Sequence, residues 1–144
     1  VFGLGKSQLD GYLARAAAKR SMVLGPDLWP DENYYFRSDH INLARKGVPA
    51  LFMDTGVDYI AHGREWGLAK VQAYSDSMYH KVTDEFDDTW DMQGMEDFVQ
   101  ILFDVGYTIG NQSKFPKWTK GDDFRAVRDE AMRAARKAET VTTD

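Results

Sequence analysis

Cysteine is absent from this 144-residue chain, so neither a disulfide nor a thiolate metal site is open to it. That absence does not choose a compartment. No apolar run approaches the roughly 20 residues that a membrane span needs, and no signal peptide stands at the start. A basic balance is missing as well: 18 Lys and Arg face 23 Asp and Glu, for a net charge of −5. No basic stripe forms outside the last helix, which argues against nucleic acid as a partner. No internal repeat is evident. The first residue is Val1 and not Met, from which we expect processing or excision from a longer chain.

What remains is globular in character. Hydrophobic residues make up 43% and aromatics 13%, too apolar for a disordered chain. The length fits one ordinary domain or a piece of one.

Ser7 followed by Asp10 reads as a helix start of the capping-box type, with Asp in place of Glu. Leu9, Leu13, Ala16 and Ala17 then share a face, and the helix should end near Arg20. Met22 to Leu24 suits a brief strand before Gly25-Pro26. Residues 25–33 form a loop with two prolines. Ser38 or Asp39 can cap a short helix with Ile41 and Ala44 inside, Gly47 fits its left-handed end, and Pro49 forbids continuation. "PALFMDTG" is continuously apolar before its polar end, the pattern of a fully buried strand.

Residues 57–90 are weakly periodic, with one or two helical turns over 65–72 and then a loop. A loop that long is usually functional. Asp91 can cap the strongest helix, whose stripe is Met95, Phe98, Val99, Leu102, Val105, Gly106 and Ile109. A polar linker with Pro116 follows. Asp122 or Asp123 opens a last helix with a thin, alanine-rich inner face. A helix followed by a buried strand predicts an α/β architecture with a sheet flanked by helices, and functional loops beyond the strand ends.

A dense run of polar groups stands against core elements in "YYFRSDHINLARKGVPALFMDTG", residues 34–56. It sets Arg37, Ser38, Asp39 and His40 directly against core elements. "RSDHINLARKGVPALF", then "YHKVTDEFD" and a long helix, resembles the C-terminal part of the co-catalytic zinc aminopeptidase family. That family includes the bacterial leucine-type and Streptomyces-type aminopeptidases and is related to glutamate carboxypeptidase and glutaminyl cyclase. The resemblance covers roughly residues 1–112, with 113–144 as linker and tail helix outside it. It implies a partial three-layer helix–sheet–helix exopeptidase domain.

It also implies a cofactor: two zinc ions, about 3.5–4 Å apart in such sites, that activate a bridging water and polarise a peptide carbonyl. His80 matches the last metal ligand of the family pattern, and the other ligands of that pattern lie upstream of Val1. By composition alone His80 reads as a solvated loop histidine, because zinc sites normally take three or four protein ligands. Asp84 is a candidate to receive the second ring N–H of His80, or a simple loop cap. Tyr79 matches a catalytic tyrosine that donates to the tetrahedral oxyanion or the substrate carboxyl; otherwise it packs, as Tyr74 and Tyr107 should. Arg37 and Asp39 fall where the family lines its substrate cleft. Asp39 could take the free amine of a peptide or cap its helix. Arg37 could pair with Asp39 or meet a substrate carboxylate. His40 reads as structural and His62 as solvated.

Three functions follow as expectations. The first is the C-terminal fragment of a zinc aminopeptidase, inactive alone, whose partners are the peptide substrate and the missing N-terminal half. The second is a non-catalytic binding domain. The third is a cyclase, which usually carries Trp just before its last His, where this chain has Tyr79. The isolated piece should self-associate. The resemblance alone favours a periplasmic or secreted protein.

Overall fold

A computed structural model of the chain describes residues 1–141. The chain divides into two compact units, one formed by residues 1–53 together with the segment from Val99 onward, the other by Asp54–Phe98. Among the described residues there are five α-helices: α1 (Leu9–Ala18), α2 (His40–Ala44), α3 (Gly63–Ser77), α4 (Gln93–Gly110) and α5 (Asp123–Val141). Two 3₁₀ turns, Pro30–Glu32 and Tyr34–Phe36, precede α2.

The α/β expectation, with its partial three-layer helix–sheet–helix arrangement, is overturned. The chain is helical, and among the described residues there is no strand or sheet. Residues 49–56 and 22–24 run as irregular backbone. The reason is a shortage of partners. A buried strand needs a neighbour to satisfy its backbone groups. Phe52 finds only one, in an isolated antiparallel bridge with Phe2 whose amide donates to the Phe52 carbonyl at 2.9 Å. One rung does not make a sheet.

The bridge nonetheless organises the first unit. Phe2 and Phe52 turn into one apolar cluster with Tyr35, Ile41, Ala44, Trp118 and Phe124. Their neighbours Val1, Leu51 and Met53 turn into another, built on Leu13, Ala16, Ala17, Ile101 and Val105. Side chains of an extended segment alternate in direction, so a single pair of extended residues can feed two cores.

Several local expectations hold. α1 buries Leu9, Leu13, Ala16 and Ala17. Its cap is arranged differently from a capping box: Ser7 Oγ accepts the Leu9 amide at 3.2 Å, and Asp10 reaches back to the Gly5 amide at 2.7 Å. Gly47 ends the α2 segment at φ +84°, and a Cβ there would lie 2.7 Å from the Arg128 Cα. Asp91 caps α4 through the Gln93 amide, and Asp122 caps α5 through the Phe124 amide, each at 3.0 Å.

Two differences matter. α4 is apolar over more of its circumference than one side can cover. The residues it buries are Ile101 and Val105, with Ile109 packed beside them, while Val99 and Leu102 are exposed. The segment around Pro116 is not merely a polar linker. Trp118 is 1% exposed, and its indole N–H donates to the Gly47 carbonyl at 2.9 Å. Backbone bonds tie the same segment to the chain start: Gln8 N to Lys117 O at 2.9 Å, and Thr119 N to Lys6 O at 2.7 Å.

Candidate functional site

The Tyr79-His80 pair sits just beyond α3. That helix runs much further than the one or two turns expected, through Tyr74 to Ser77. Its start is fixed by a compact turn in which the Gly63 amide donates to the Tyr59 carbonyl at 2.6 Å. Gly67 is buried against the Val57 carbonyl, at a contact too close for any side chain.

At the other end, residues 78–84 fold back over the last turn and satisfy its carbonyls. The amides of Met78 and Tyr79 both donate to Tyr74 O, at 2.8 and 3.0 Å. Thr83 Oγ1 donates to Ser77 O at 2.7 Å, and Lys81 Nζ donates to Asp76 O. His80 occupies the apex with φ +57°, a left-handed conformation uncommon for a residue with a Cβ, though His is among those that adopt it. Its imidazole is exposed and lies on the Tyr79 ring, 3.9 Å between centroids at 20°. The turn therefore presents a stacked phenol and imidazole to solvent on a backbone held from both sides.

Asp84 belongs to the same turn, but its Oδ2 accepts the Tyr74 hydroxyl at 2.9 Å. Tyr74 is thus a polar partner and not only a packing aromatic. Its hydrogen bond to Asp84, then partial desolvation and the Asp84 charge, raises its pKa above the usual phenol value. The sequence offered one faint signal for this pairing: a Tyr in the last helical turn can reach the loop that folds back on it.

Arg37 and Asp39 lie in the other unit. Arg37 Nη1 bonds Glu32, at 3.2 Å to Oε2 and 3.1 Å to the carbonyl, and its guanidinium sits 5.7 Å from the Tyr34 ring. The expected Arg37–Asp39 pair is replaced by Arg37–Glu32, because the 3₁₀ turns bring Glu32 under the guanidinium. Both partners are well exposed, so the pair adds little stability. Asp39 holds the N-cap position of α2 without making a side-chain cap bond, and it is exposed. Its carboxylate is therefore accessible. His62, exposed as expected, stacks on Trp66 at 4.5 Å.

The donor sets can be tested for metal. Among the described residues no group of three or more His, Cys, Asp or Glu side chains gathers so as to hold an ion. Nearby acids are engaged elsewhere: Asp76 accepts from Gln72 at 2.8 Å, and Asp87 collects the Thr89 amide and hydroxyl, which lowers its pKa. Among the described residues, the donors do not gather to hold a zinc pair.

The chain belongs to peptidase family M28, whose family model matches residues 2–105. Its family is one of hydrolases acting on peptides. No curated protein and no solved structure gives a significant match.

Proposed function

We propose that the chain is the C-terminal part of a dinuclear zinc-dependent aminopeptidase that removes N-terminal residues from peptides. Residues 1–112 would belong to the catalytic domain, with 113–144 forming the joining segment and tail helix. The observation that carries this reading is the Tyr79-His80 turn, an exposed imidazole in a left-handed conformation with both flanks hydrogen-bonded, inside the stretch matched by family M28. Unusual backbone held in place by its surroundings clusters at functional sites.

In this reading His80 supplies one metal ligand and the remaining ligands come from the part of the domain upstream of Val1. The 144-residue chain alone is then inactive. Tyr79 is the hydrogen-bond donor to the developing oxyanion, a role suited to a neutral phenol. Asp84 orients the turn through Tyr74. Arg37 and Asp39 line the substrate cleft, with Asp39 free to take the peptide amine and Arg37 held by Glu32.

The test is metal content beside steady-state kinetics on the full-length protein. His80→Ala should lose at least one zinc per chain together with turnover. Retention of two zinc ions and wild-type turnover in that variant would sink the assignment.

A further inference from the structure

His40, the first residue of α2, is lodged among aromatic rings. Tyr35 stands edge-on at 4.6 Å and Phe52 lies at 5.2 Å, with Phe2 a further 4.6 Å beyond Phe52. The imidazole lies beside the Tyr35 backbone, a polar neighbour that favours its protonated form. Its Nε2 is buried and has no hydrogen-bond partner among the described residues. A neutral imidazole tolerates this, since only a bare acceptor is left. An imidazolium would turn an N–H donor and a charge toward aromatic carbon, away from water.

We propose that His40 is a proton-operated latch: neutral, it holds residues 34–40 against the aromatic cluster, and protonated, it releases them.

The charged groups around the cluster work toward the same end. Lys6 Nζ lies 5.5 Å from the Tyr35 ring and 5.8 Å from the Phe36 ring, so protonation brings a second positive charge into the neighbourhood. Asp122 is committed to Lys6 at 2.7 Å. Asp10 and Asp122 act on the Tyr35 phenol. On the element that carries His40, Asp39 and Arg45 are exposed, and Arg37 is turned to Glu32. Burial holds the His40 pKa below its ordinary 6.5, against the weaker pull of the Tyr35 backbone.

The sign follows. Between the folded and unfolded pKa values the unfolded chain binds more protons, so stability rises with pH. The contribution of His40 is complete above about 6.5, the unfolded value, and is lost as pH falls toward the folded one. Arg37 and Asp39 lie in the released stretch, but the latch does not depend on their proposed roles.

Nuclear magnetic resonance on the 144-residue chain between pH 8 and 5 reads it directly. The His40 ring signal should titrate with a midpoint below 6.5, and the Tyr35 and Phe52 ring signals should shift in step. A midpoint at or above 6.5, or Tyr35 and Phe52 signals that stay still while His40 titrates, overturns the proposal. Near-ultraviolet circular dichroism adds a variant: the wild type should lose aromatic signal between pH 7 and 5, and His40→Phe should keep it. Equal loss in both overturns the latch, and if His40→Phe does not fold, the wild-type titration decides alone.

Discussion

Trp118→Ala tests whether the segment after α4 is core or connector. The indole is almost wholly enclosed, 5.1 Å from the Phe124 ring and within the cluster of Phe2, Tyr35, Ile41 and Ala44. Deleting a buried tryptophan removes its transfer free energy and leaves a cavity, together about 3–5 kcal/mol. The Gly47 carbonyl also loses its donor. Against a typical total of about 5–15 kcal/mol, that is a large share. Trp118→Phe isolates the polar part: most of the ring stays, and the orphaned carbonyl costs about 1–3 kcal/mol. The assay is urea denaturation followed by far-ultraviolet circular dichroism. With an m-value near about 2 kcal/mol/M, Trp118→Ala should lower the midpoint by about 1.5–2.5 M and Trp118→Phe by about 0.5–1.5 M. A Trp118→Ala midpoint within about 0.5 M of wild type at unchanged m would refute the reasoning. The segment would then be a linker after all, and the packing of Phe2 and Tyr35 would rest on something else.

Four further outcomes are expected. Gly67→Ala should destabilise the second unit by about 1–3 kcal/mol, since its Cβ would overlap the Val57 carbonyl; fraying of α3 by hydrogen exchange checks this, and wild-type protection contradicts it. Tyr79→Phe in the full-length enzyme should lower kcat by roughly two to three powers of ten with zinc content unchanged, so a loss of metal in that variant would reassign the residue. Burial, then Asp122 and Asp10, push the Tyr35 phenol up to about 12. The unfolded chain then ionises first, and stability should fall by about 2–3 kcal/mol as pH rises from 10 to 12; a flat wild-type profile with a falling Tyr35→Phe profile would contradict this. Finally, α4 leaves Val99, Leu102, Phe103 and Tyr107 exposed along one stretch. Such a patch favours association, so sedimentation of the isolated chain should show self-association, and a monomer at tens of micromolar would count against it.

Helices announced themselves where a stripe met a cap. Leu9, Leu13, Ala16 and Ala17 fall on one face of α1 and are buried there, and Asp91 caps α4 as its position implies. What the stripe could not specify was how much of it would be covered. α4 carries apolar residues over nearly half its circumference, and the face that wins is the one facing α1 through Ala16 and Ala17. The strand reading of "PALFMDTG" failed for a related reason. Continuous apolarity says that a segment is buried, and it leaves open what will pair with its backbone. Here Leu51 and Met53 enter one cluster and Phe52 the other, so the burial is real and the ladder is missing.

The candidate site was legible in its order and not in its contacts. A motif such as Tyr-His fixes which chemical groups occur together, because adjacent residues cannot separate. It does not fix their conformation. The left-handed backbone at His80 depends on Thr83 and Lys81 reaching back to Ser77 and Asp76, interactions between residues of no special pattern. Long-range polar partners are harder still. Arg37 has acids on either side, Asp39 two residues on and Glu32 five residues back, and the nearer one in sequence is the natural guess. The 3₁₀ turns reverse that choice by carrying the chain through the left-handed Asn33, φ +56°, which places Glu32 beneath the guanidinium. With Arg37 held by Glu32, the exposed Asp39 carboxylate stands at the start of α2 without making a side-chain cap bond.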